Sequence, residues 1–121
     1  MSVVSFVYRI EARSGYLLVW QKGCPSIQDL AGMQAALELA AARYRIWRVL
    51  FDNRDLDSTS EEVRNFMINW LDQAGRFDAQ ALLLKSDMIA VRTTMDALAK
   101  RVPRRGFCSI EDAEAWLLGR R

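Results

Sequence analysis

Hydrophobic and polar positions change period several times along the chain, and each change marks an element. "VVSFVYRI" alternates, with Val4, Phe6, Tyr8 and Ile10 on one side. A period of two built from β-branched and aromatic residues predicts a strand. "ARSG" reads as a turn and "YLLVWQ" as a second strand, expected to pair with the first as an antiparallel hairpin. Beyond "GCPS", Ile27, Leu30, Leu37, Ala40, Ala41 and Tyr44 fall on one helical stripe. Ser26 stands as its N-cap with Asp29 three residues on, and "AALELAAAR" favours helix, so a helix is expected over 26–43.

"IWRVLFD" is almost continuously apolar, the pattern of a central strand covered on both faces. Val63, Phe66, Met67, Trp70, Leu71 and Ala74 then recur at helical spacing, with Gly75 as the expected C-terminal stop, which predicts a helix over 60–74 that buries Phe66, Trp70 and Leu71. "AQALLLK" is a further buried strand. "SDMIAVRTTMDALAKR" predicts a helix over 87–101, capped by Ser86 or Asp87, with Met88, Val91, Met95, Leu98 and Ala99 turned inward and Pro103 as the stop. "GFCS" offers at best a very short edge strand, and Ser109 opens a last helix over 109–118 with Ile110, Ala113, Trp116 and Leu117 inward. The order is β-β-α-β-α-β-α-β-α. Strand–helix–strand repeats call for right-handed crossovers and a parallel core, with the hairpin as an antiparallel edge. The fold class is therefore α/β: a four- to five-stranded mixed sheet with an N-terminal hairpin and about four helices. At 121 residues the whole of 1–121 is expected to form one domain.

Composition sharpens this picture mainly by exclusion. The chain has no histidine, which removes Ser-His and Cys-His catalysis and histidine metal sites. Cys24 and Cys108 lie far apart without metal-ligand spacing and are expected to be free thiols in a reducing cytoplasm. The net charge of +2 predicts no nucleic-acid partner. No apolar run approaches the length of a membrane span, and the opening residues lack the basic start and cleavage site of a signal peptide. No glycine-rich phosphate loop is present. No catalytic residue, metal or cofactor is expected.

Three stretches carry a family resemblance: "RVLFDNRDLDSTSEE", "AQALLLKSD" and "RGFCSIEDAEAWL". With the leading hairpin they resemble the SpoIIAA-like branch of the STAS superfamily, whose namesakes are anti-sigma-factor antagonists. The resemblance implies a mixed sheet with helices packed on it and a non-enzymatic regulatory or protein-interaction role. Phosphorylation-switched antagonists carry an Asp-Ser-Ser-Gly-like stretch after the central strand. Here the matching positions are Asp57, Ser58, Thr59 and Ser60, followed by Glu61 rather than glycine, which argues against such a switch.

Two groups of residues stand as candidate sites. Ligands of open α/β sheets bind beyond the carboxyl ends of the strands. Two strands here end in Asp52-Asn53-Arg54 and in Lys85-Ser86-Asp87, and Ser58 to Ser60 open a helix between them. If those strands are neighbours, Asp52, Arg54, Ser58, Ser60, Lys85, Ser86 and Asp87 converge as a small polar site. The competing reading is structural: Ser58 with Glu61, or Thr59 with Glu62, is a capping box, and the acids complement the helix dipole. The second candidate is a basic patch of Lys100, Arg101, Arg104 and Arg105, joined by Arg120 and Arg121, that would dock an acidic partner or simply form a solvated helix end. Trp47, Trp70 and Trp116 are expected in the core. Met33, Met67, Met88 and Met95 are spaced as core residues, and Tyr16 with Trp20 would present an edge for a dimer contact. The expected partners are a protein or a second copy of the chain. The alternative is a small ligand, an apolar or lipid-like one among the options, favoured by a cavity between the hairpin and the helices lined by Met and aromatic side chains.

Overall fold

A computed structural model describes residues 5–57, 59–73 and 76–119. Nine elements follow the expected order: β1 (Val7–Ala12), β2 (Leu17–Gly23), α1 (Ile27–Tyr44), β3 (Arg48–Leu56), α2 (Glu61–Leu71), β4 (Ala79–Leu83), α3 (Asp87–Lys100), β5 (Arg104–Phe107) and α4 (Ile110–Gly119). The five strands form one sheet in sequence order. β1 pairs antiparallel with β2, and β2, β3, β4 and β5 are mutually parallel. Because each strand is added beside the last, right-handed crossovers carry α1, α2 and α3 to the same face. α4, which follows the last strand, packs on the other.

Two cores result. Leu17, Val19, Val49, Phe51 and Leu82 of the sheet meet Leu30, Met33 and Leu37 of α1 and Trp70 and Leu71 of α2. On the opposite face Tyr16, Leu50, Ala81 and Leu83 meet Ala113 and Leu117 of α4. Strand alternation sends neighbours such as Leu50 and Phe51 to different cores.

Helix ends differ from expectation in informative ways. Ser26 caps α1 with the full capping box: its side chain accepts from Asp29 N, while the Asp29 carboxylate accepts from Ser26 N. α1 and α3 stop on left-handed arginines, Arg45 (φ 56°) and Arg101 (φ 60°), rather than on glycine. α2 ends at Leu71, capped by Asp72, three residues before its expected end; Ala74 and Gly75 lie outside the described residues. β5 runs Arg104–Phe107, two residues earlier than "GFCS".

The largest correction concerns α3. Met88, Val91, Met95 and Leu98, expected inward, are 72%, 57%, 63% and 71% exposed. Ala99 is exposed as well. The buried residues of this helix are Ala90 and Ala97. The cause is the close approach of α3 to β5: a Cβ on Gly106 would lie 2.6 Å from the Ala90 carbonyl oxygen, so only small residues fit between helix and strand. Gly106 N also donates to Thr94 Oγ1 at 2.9 Å, which fixes the rotation of the helix about its axis. Tyr44 and Trp47, also expected in the core, are exposed, although Trp47 leans on Phe77 with ring centroids 5.8 Å apart. Tyr16, expected at an exposed edge, is buried.

Candidate functional site

The strand ends do meet. β3 and β4 are adjacent and parallel, with Asp52 in register with Leu83. The side chains beyond them nevertheless divide between the two faces of the sheet. Asn53 continues the side of Phe51, toward α2, and Asp52 continues the side of Leu50, toward α4. The Arg54 guanidinium grips the Asp52 carboxylate twice, Nε to Oδ1 and Nη2 to Oδ2 at 3.0 Å each, while Arg54 N donates to the same carboxylate at 3.2 Å. Partial burial pushes the Asp52 carboxyl up, but the three Arg54 donors outweigh it and hold it below the usual carboxylate range. The same pair pushes the Arg54 guanidinium up, against the opposing pull of burial; Asp55 and Glu111, at the start of α4, add to the rise. Asp52 and Arg54 thus form a self-neutralised pair on the α4 face.

On the α2 face, Ser60 is the N-cap of α2, its Oγ accepting from Val63 N at 3.2 Å. Its third residue is Val63, so neither expected capping box is the one formed at this cap; Ser58 lies outside the described residues. Ser86 caps α3, accepting from Ile89 N at 3.4 Å. Asp87, the first residue of α3, accepts from the Cys108 thiol and holds that thiol above its usual range. Lys85 is exposed at the mouth of a cavity of about 610 Å³. The structure therefore brings Lys85 to this cavity, uses Ser60 and Ser86 as helix caps, and places Asp52 and Arg54 on the other side of the sheet.

That cavity lies between α2 and the sheet. Phe51, Met67, Leu71 and Leu82 line its apolar part; Asn53, Arg64 and Lys85 bring polar groups to it. Gln21 Nε2 donates to Asn53 Oδ1 at 2.6 Å within the lining, and Arg64 Nη1 donates to the Thr59 carbonyl at 2.6 Å. Sequence reasoning missed Gln21, Asn53 and Arg64. The period-two alternation carried the signal for Asn53, since it sends residues 52 and 53 to opposite faces.

The expected basic patch comes apart. Arg104 is only 4% exposed. Its Nε donates to Gln80 Oε1 at 2.9 Å and its Nη2 to Asp72 Oδ1. Gln80 in turn donates to the Leu71 carbonyl at 2.9 Å. Lys100 Nζ bridges to Asp72 Oδ2 at 2.9 Å. Partial burial pushes the Asp72 carboxyl up, but Arg104 and Lys100 outweigh it and hold it below the carboxylate range. Arg104 and Lys100 therefore clamp the end of α2 to β4, β5 and α3. Lys100 stays exposed although paired; outside this clamp the exposed cations of the four are Arg101 and Arg105, the latter over the Phe107 ring at 5.5 Å. Arg120 and Arg121 lie outside the described residues.

Among the described residues no three acids or cysteines converge as metal ligands would, and no helix is long and apolar enough to cross a membrane. Cys24 and Cys108 are exposed, unbridged thiols.

With this architecture, two solved structures compare closely. The chain has a SpoIIAA-like fold. It matches an uncharacterized DUF3478-family protein with a SpoIIAA-like fold from Shewanella loihica PV-4 at TM-score 0.71 and 21% identity, over 97% of each chain. It matches an anti-sigma factor antagonist from Mycobacterium paratuberculosis at TM-score 0.68 and 12% identity, over 94% of this chain and 95% of that one. No protein-family model matches the chain, and a comparison with curated proteins finds no match.

Proposed function

We propose that this protein is a non-enzymatic regulatory module of the cytoplasm that acts by docking another protein chain. The outer face of α3 carries the reading: four large apolar side chains, more than half exposed, stand in one row on a helix whose rotation is fixed by Gly106 and Thr94. Exposed contiguous apolar surface marks interaction sites. The likeness to an anti-sigma factor antagonist supports a regulatory role. The lack of histidine in the sequence supports a role without acid–base chemistry.

The cavity beside α2 favours a second reading, a small and largely apolar ligand. Its size falls within the usual range for small-molecule sites, and Arg64 and Lys85 would meet the polar end of such a ligand. The Asp52–Arg54 pair, on the opposite face, takes no part in it. Co-purification from native cells followed by native mass spectrometry separates the two. The docking reading expects a stoichiometric protein partner that the Met95→Lys variant loses at unchanged melting temperature. A retained small molecule with no protein partner would replace it with the second reading.

A further inference from the structure

Met88, Val91, Met95 and Leu98 are spaced by three, four and three residues, the a/d spacing of a coiled-coil seam rather than the wider stripe of a helix lying on a sheet. This seam faces away from the sheet and runs from Met88 to Leu98 of the 14-residue α3, a length of about 15 Å. Met88, Val91 and Met95, with Arg92 and Asp96, line a shallow groove on this face, a hole of the kind that receives a knob from a facing helix. Charge is distributed unevenly along it: Asp87 opens the helix and Arg101 closes it.

We propose that this face binds the same face of a second copy of the chain, with the two α3 helices antiparallel about a two-fold axis. The proposal rests on the docking reading above and names the partner. A two-fold axis level with Thr93 places Met88 of each copy against Leu98 of the other, and Val91 against Met95, so every apolar residue of the seam meets an apolar residue. The same axis sets Asp87 of each copy near Arg101 of the other, giving two opposite-charge pairs and opposed helix dipoles. A parallel pairing would set Asp87 level with Asp87 and Arg101 level with Arg101, and would form neither opposite-charge pair. Arg92 of the two copies meet near the axis, where Asp96, one turn on, supplies the counter-charge. The seam is one helix wide, so the buried surface falls short of a standard interface of roughly 800 Å² per partner, and the dimer is concentration-dependent with an affinity in the micromolar range.

Sedimentation equilibrium over a concentration series tests this with four proteins. The wild type is expected to self-associate. V91K/M95K, which changes only exposed side chains, should be monomeric with an unchanged circular dichroism spectrum and melting temperature. D87K and R101E should each associate more weakly than the wild type. A mixture of the two should recover wild-type association, because each mixed dimer keeps one native Asp87–Arg101 pair and forms a second pair with the two charges exchanged. A wild type that stays monomeric overturns the proposal, as does association that survives V91K/M95K. A mixture no better than its components overturns the antiparallel register, and so does one tighter than the wild type. If the wild type is monomeric while Met95→Lys still loses a partner from cells, self-pairing fails and the docking face stands. Loss of neither removes both.

Discussion

Replacing Arg104 with Met should destabilise the protein far more than any other change in the basic segment. The Arg104 side chain is nearly fully buried and is held by Gln80 and Asp72. Methionine fills much of the same volume, so the loss is chiefly electrostatic. Gln80 Oε1 is left without its donor inside the fold, and Asp72 loses one of two cations. Removing one member of a buried pair costs about 3–5 kcal/mol, but Asp72 keeps Lys100 and some contact with water, which places the expected loss nearer about 2–4 kcal/mol. Urea denaturation, read by tryptophan fluorescence, measures it. The matched control is Arg105→Gln on the same strand, where exposure predicts a change within about 0.5 kcal/mol. The two variants should also differ in acid. The folded Asp72 carboxyl lies below its unfolded value, so its contribution is present above the unfolded pKa and fades as pH falls through the folded one. R104M should flatten that acid slope. Equal midpoints for the two variants would refute the assignment of Arg104 as a clamp and return it to the surface patch.

Ser60→Ala should lower stability by about 1 kcal/mol through loss of the α2 cap, while Thr59→Ala costs less; equal losses in urea melts would misplace the cap. Tyr16 donates to the Glu114 carboxylate at 2.6 Å, and burial first, then that carboxylate, push its phenol up to about 12. Ultraviolet titration should show a tyrosine ionising well above the ordinary value of about 10. Because the folded value is raised, its contribution is complete below the unfolded pKa of about 10 and is lost as pH climbs through about 12. Tyr16→Phe should abolish the late titration step. Gly106→Ala would drive a Cβ into the Ala90 backbone and should cost about 1–3 kcal/mol; a neutral effect would mean that α3 sits farther from β5 than described.

Element order, strand polarity and most helix bounds were legible because each rests on local chemistry: period-two alternation in β1, the apolar run of β3, the Ser26–Asp29 box of α1. The SpoIIAA-like architecture followed from that order. What each face touches was not legible. The α3 stripe shows that an apolar face exists, and periodicity cannot say what covers it; the informative residues were the small ones, the buried Ala97 and Ala90, the latter against Gly106. Arg104 reads as a surface cation in sequence because its acid, Asp72, is 32 residues away and joins it only through the fold. The expected polar site failed as a single cluster for a simpler reason. Asn53, next on the strand, takes the cavity face, so alternation turns Asp52 to the other, and the arginine two residues on neutralises the acid.

The central claim is that the outer row of α3 is a protein-docking face, and photo-crosslinking in cells tests it most directly. A photoreactive amino acid in place of Met95 should give a covalent protein adduct of defined mass, twice that of the chain if the second copy is the occupant. The same group in place of Leu39, a still more exposed apolar residue on α1 at 75%, should give little or none. No protein adduct from position 95, or equal yields from both positions, would contradict the account.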